Sequence, residues 1–168
     1  MPMVALLMVA LSSGALAQAT APSSTPSTYT LVQLTPEAAL KAAQAALADC
    51  RKRGFQVAVA VVDRGGIVQA LLRDRYAGAH TPEAAIGKGW TAVSFRTDTL
   101  ALSMQTQAGQ PGSGIRTLPR VVAVGGGVLI QGGGNTLGAV GVSGAPGGDA
   151  DDACARAGIA AIADDLNF

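Results

Sequence analysis

The sequence predicts an α+β domain, an antiparallel five-stranded sheet with helices packed on it. Apolar residues recur at helical spacing in some stretches and as short β-branched runs in others. The two kinds follow one another as helix, two strands, helices, three strands, helix, an order that one layered core accommodates. With 168 residues, 49% apolar and only 14% charged, the chain carries core enough for one such domain.

The first helix opens at Thr35, a good N-cap, with Pro36 at the first helical position and Glu37 against the positive end of the dipole. Leu40, Ala43, Leu47 and Cys50 then share one helical face, and Gly54 supplies the stop. Residues 57–62 form a continuous β-branched run, read as a buried strand. Asp63-Arg64-Gly65-Gly66 turns the chain into a second strand over 67–72, completing a hairpin. Thr81-Pro82-Glu83 repeats the start chemistry of the first helix. The helix it opens directs Ile86, Trp90 and Val93 to the core, and a further short helix covers 98–104.

After a Gly/Pro/Ser-rich loop over 109–119, strands are expected at 121–124, 128–131 and 137–142. Gly132-Gly133-Gly134-Asn135 turns the chain between the last two. Glycine makes up 22 of the 168 residues and clusters here; against a usual share of about 7%, this signals turns, bulges and close backbone approach. Asp149 or Asp151 caps a closing helix whose apolar stripe is Ala155, Ile159, Ile162 and Leu166.

The segment ahead of the domain reads as an export signal. Residues 4–11 are an unbroken apolar run, followed by Ser12-Ser13-Gly14 and Ala15-Leu16-Ala17-Gln18-Ala19, whose small residues suit a signal peptidase. No Lys or Arg precedes the run, and it is shorter than the roughly 20 apolar residues a membrane span needs. The expected organisation is a signal peptide at 1–19, a flexible Ser/Thr/Pro-rich segment at 20–33 and the domain at 34–168, in a periplasmic or secreted protein. In that compartment Cys50 and Cys154 are either bridged or left as two buried thiols.

Several function classes lose support. A net charge of +1 and a pI near 7.8 give no basic field for nucleic acid. The one basic run, Arg51-Lys52-Arg53, is explained by its place in the last turn of a helix, where cations favour the carbonyl end. The glycines spell neither G-x-G-x-x-G nor a P-loop, and no G-x-S-x-G elbow occurs. A single histidine precludes a multi-His metal cage.

Several blocks in order resemble the GlcG/HbpS/PduO C-terminal family. They begin with Val59-Ala60-Val61-Val62-Asp63-Arg64-Gly65-Gly66 and Arg73-Asp74-Arg75-Tyr76-Ala77-Gly78-Ala79-His80-Thr81. Lys88-Gly89-Trp90-Thr91-Ala92 follows, then Gly125-Gly126-Gly127-Val128 and Gly138-Ala139-Val140-Gly141-Val142-Ser143-Gly144 before an Asp-led helix. Gly89 stands where the family usually has Ala. The resemblance implies a profilin-like three-layer α/β/α domain, often a homo-oligomer, and haem binding in exported members. Some members are described as haem-degrading, and others accompany corrinoid or glycolate metabolism, so the shared fold leaves the ligand open between haem, a corrinoid and none.

His80, the only histidine, lies in a polar loop beside a helix start, and neutral imidazole is a common axial ligand of haem iron. The alternative is a surface histidine supporting the Thr81 cap. Arg73 and Arg75 offer guanidinium forks for propionates and Tyr76 a ring to stack on a macrocycle, against a plain pairing of either arginine with Asp74. Lys88, two turns from Thr81, reaches either a carboxylate or metal-bound group in the same cleft or solvent, and Thr91 is an oxygen-ligand candidate or a packing residue. Trp90 and the Gly138 to Gly144 run are expected to serve packing. Two rivals to tetrapyrrole binding are an acid/base enzyme using Asp63, Lys88 and His80, and a non-enzymatic oligomeric sensory or accessory partner.

Overall fold

The computed structural model describes residues 26–166. The expected signal peptide and the start of the segment after it therefore lie outside the described residues. Residues 26–30 belong to a separate unit and carry no helix or strand, while the folded body begins at Leu31.

That body runs α1 (Pro36–Lys52), β1 (Ala58–Asp63), β2 (Val68–Arg73), α2 (Thr81–Phe95), α3 (Thr99–Gln105), β3 (Gly127–Gly132), β4 (Asn135–Ser143) and α4 (Gly148–Ala160). Short 3-10 turns lie at Ser113–Thr117 and Ala163–Leu166. The sheet is antiparallel in the order β2-β1-β4-β3. It has four strands where five were expected. Residues 121–124 have strand composition, but their amides are used elsewhere. Val122 N donates to Thr91 Oγ1 at 2.9 Å, and Val124 N turns back to Val122 O at 2.9 Å. The chain joins the ladder only from Gly127.

Capping follows the sequence closely in α1. Thr35 Oγ1 accepts from Ala38 N, Pro36 takes the first position, and Gly54 follows the helix at φ +83°. The buried face is Ala39, Ala42, Ala43, Ala46, Leu47 and Cys50, with Leu40 outside it. The β3–β4 turn is Gly133-Gly134, both at positive φ, the two-residue geometry that matches strand twist. Cys50 and Cys154 are bridged with Cα atoms 5.5 Å apart, tying α1 to α4. Gly158 lets these helices touch, since a Cβ there would lie 2.6 Å from Ala42 O.

The central strands β1 and β4 are covered on both faces. Val57, Val59, Val61, Val128, Ile130, Val140 and Val142 pack beneath α1 and α4. The other face presents small residues to α2: Ala58 and Ala60 meet Ala85, while Val62 and Ala139 meet Ala92 and Val93. This large-side, small-side split draws α2 almost onto the sheet backbone. A Cβ on Gly141 would stand 2.0 Å from Ala85 O, and one on Gly89 would stand 3.2 Å from Val62 Cγ2. The departure at Gly89 thus lies where the helix presses on β1. Gly141→Ala is expected to cost about 2 kcal/mol, because backbone and not a movable side chain must yield. A lowered urea midpoint with retained circular dichroism would show it; an unchanged midpoint would contradict the packing argument.

Trp90, expected in the core, is half-buried instead. Its ring lies against Gly66, and the Arg120 guanidinium sits 4.8 Å from its centroid. Among the described residues no helix is long and apolar enough to cross a membrane.

Candidate functional site

The loop between β2 and α2 is fastened before it delivers His80. Asp74 is buried and its carboxylate accepts from Arg51 Nε at 2.7 Å, Arg51 Nη2 at 3.1 Å and Arg75 N at 2.9 Å. The Arg51 guanidinium, with help from Arg75 N, holds the Asp74 carboxyl below the usual carboxylate range. Arg51 of the basic run therefore does more than complement the helix dipole: it pins this loop. The Arg73 guanidinium donates to Ala77 O, and Ala77 N donates to Asp74 O.

His80, not Thr81, is the N-cap residue of α2, and its side chain makes no capping bond. Thr81 is the first helical residue and turns its hydroxyl back to Gly78 O at 2.8 Å. The imidazole rests over Gly78, where a Cβ would come 2.9 Å from Cε1 and 3.0 Å from Nδ1. Glycine at 78 makes room for the ring, which is exposed and has no hydrogen-bond partner among the described residues.

The ring stands over a cleft of about 510 Å³, within the size range of small-molecule sites. The first turns of α2 form one wall, Val122 and Val124 a second, and residues 143–148 leading into α4 a third. Lys88 and Asp151 lie at the inner end, each 3% exposed, with Lys88 Nζ 2.7 Å from Asp151 Oδ2. Asp151 Oδ1 accepts from Ala145 N at 3.0 Å, so both carboxylate oxygens are engaged. Burial pushes the Asp151 carboxyl above its usual range, and Lys88 opposes the shift. Gly126, at φ +115°, leaves room for the pair, because a Cβ there would meet Asp151 Cβ at 2.6 Å.

The structure thus brings His80 and Lys88 to one cleft. It places Lys88 in a buried ion pair with Asp151, so of the two alternatives for this residue the solvated one is excluded. Arg73, Arg75 and Tyr76 do not line the cleft; Arg73 stands exposed at the end of β2 and Arg75 and Tyr76 on the loop after it, with Tyr76 79% exposed. Thr91 is fully buried and its hydroxyl holds Val122 N, which fits the packing alternative. Asp63 is occupied in the hairpin turn, accepting from Gly65 N, Ile67 N and Gln69 Nε2. The acid/base set of Asp63, Lys88 and His80 is therefore not assembled.

Two cleft residues have no signature of a site in the sequence, Asp151 and Ser143. Asp151 has the local chemistry of a helix cap, and nothing near it reports a partner 63 positions away. Ser143 closes a glycine run whose composition points to packing.

Residues 34–160 match the family described as haem degrading protein HbpS-like. The chain belongs to this family. Among solved structures, a double mutant of Streptomyces reticuli HbpS is similar at 36% identity and TM-score 0.75, covering 85% of this chain and 97% of that one. A PduOC:heme complex is similar at 31% identity and TM-score 0.73, covering 78% and 96%. Klebsiella pneumoniae protein ORFY is similar at 27% identity and TM-score 0.78, covering 83% and 98%. The HbpS-like chain shares with them an α+β fold built on an antiparallel sheet.

Proposed function

We propose that this HbpS-like chain binds a haem-type tetrapyrrole in the cleft, with His80 as the protein's ligand to the iron. The carrying observation is the His80 imidazole, unpartnered and held over a cleft of ligand size by a loop fixed through Asp74. Among the described residues no group of three or more His, Cys, Asp and Glu side chains could hold a bare metal ion. A lone imidazole would suit a metal that arrives already held by a macrocycle. The PduOC:heme complex among the similar structures supports the same ligand class. When bound, the tetrapyrrole would supply the iron chemistry; His80 would hold it through an imidazole nitrogen, and the chain would provide the walls of the cleft. Degradation, which the family description names, would be a further redox step needing co-reactants besides the chain's own groups.

Export belongs to the same reading. What supports it is the apolar run with its Ala-rich ending and the Cys50–Cys154 bridge, a bond that persists outside reducing compartments. Self-association is supported by the edge strand β2, where Val68 and Leu71 are exposed on an otherwise unpaired border among the described residues.

His80→Ala is expected to abolish the histidine-ligated Soret spectrum that haem gives with the wild type, and added imidazole is expected to restore it. A variant that binds haem with an unchanged spectrum would remove His80 from the role of ligand.

A further inference from the structure

At the inner end of the cleft Ser143 is only 7% exposed, yet its hydroxyl has no hydrogen-bond partner among the described residues. The residue closes β4 opposite Ala58, which belongs to the sheet face packed beneath α2. Two further donors meet it in the same cleft. Lys88 carries three N–H bonds and hydrogen-bonds only to Asp151, which fixes its position. The head of α4 begins at Gly148 after Gly147, and neither residue carries a side chain to cap the helix's first free N–H groups.

From this convergence of donors we infer that Ser143, Lys88 and the α4 head form a carboxylate subsite, selecting tetrapyrroles with free propionates over corrinoids, whose side chains are amides. The inference rests on the haem reading and gives that site its selectivity. The Asp149 carboxylate lies beside Gly147 at the α4 head, so Ser143 and Lys88 supply the main donors of the subsite. Both Asp151 oxygens are engaged, and Asp149 lines a neighbouring pocket with Arg116 instead of the cleft. The subsite also replaces the role expected of Arg73 and Arg75, which lie outside the lining.

The test compares iron protoporphyrin IX with its dimethyl ester, in one detergent-containing buffer, on the wild type and on Ser143→Ala. Ser143→Ala removes one oxygen and adds no bulk, and its melting curve checks that the fold is kept. The wild type is expected to bind the free acid about tenfold more tightly than the ester, the effect of a hydrogen bond to a charged group. Ser143→Ala is expected to weaken the free acid several-fold and leave the ester unchanged, shrinking the preference to what Lys88 and the α4 head still supply. Equal binding of acid and ester by the wild type, or a preference that Ser143→Ala leaves unchanged, overturns the subsite while the haem reading stands. Binding of neither porphyrin overturns the haem reading and the subsite with it.

Discussion

Breaking the Cys50–Cys154 bridge by paired Cys→Ser substitution is expected to destabilise the protein strongly. The bridge joins residues 104 apart in sequence. On a loop-closure account, a constraint over about 100 residues contributes up to about 4.7 kcal/mol by restricting the unfolded chain. Native contacts around it are also tight: both cysteines are fully buried, and Gly158 brings α4 against the α1 backbone. The melting temperature is expected to fall by roughly 10–15 °C. A variant melting within a few degrees of the wild type would show that helix packing alone fixes α1 on α4.

The second large effect is expected from Lys88→Met. It leaves the Asp151 carboxylate buried without its cation, a change that costs about 3–5 kcal/mol in comparable buried pairs. The pH dependence follows from the direction of the Asp151 shift. Its carboxyl is raised in the folded protein by burial, with Lys88 pulling the other way. A group whose folded value is raised contributes stability that is fully present in acid and lost as pH rises through that value. Removing Lys88 strengthens the upward shift, so the penalty is expected to be largest near neutrality. It is expected to shrink as the pH falls and Asp151 takes up its proton, at a higher pH in the variant than in the wild type. Urea midpoints across this range measure it. A penalty that is constant or grows in acid would contradict the proposed state of the pair.

Much of the fold is legible in the sequence because it is written locally. Thr35, Pro36 and Gly54 mark the ends of α1 with side-chain chemistry that acts within one turn. The Gly133-Gly134 turn, the β-branched run of β1 and the Asp63 turn are equally local. The fifth strand fails for the opposite reason. Val121 and Val122 have strand propensity, but the hydroxyl of Thr91, 31 positions earlier, takes the Val122 amide. Leu40 and Trp90 differ from expectation because helical periodicity gives a spacing and not the direction of the sheet. The direction comes from Gly89 and Gly141, which let α2 settle with Ala85 and Ala92 inward.

The site divides in the same way. His80 stands out as the only histidine, and its loop position follows from the α2 start signal. Local sequence does not show that Arg51 pins Asp74, that Asp151 pairs with Lys88, or that Ser143 reaches the cleft without a partner. Each depends on chain segments brought together by the sheet order. The cysteines can be counted in the sequence, whereas their 5.5 Å approach depends on the packing of two distant helices.

The central claim, that iron sits over the cleft at the head of α2, is tested most directly by amide NMR on ferric haem binding. Paramagnetic broadening is predicted at Gly78, Ala84, Gly144 and Gly147, which line the cleft. Ala38, Lys41 and Leu137 line a different pocket of about 340 Å³. Leu137 lies six residues before Ser143 on β4, about 20 Å along an extended strand, and all three are predicted to keep sharp signals. Broadening centred on that second pocket, or none at the cleft when haem is bound, would contradict the account.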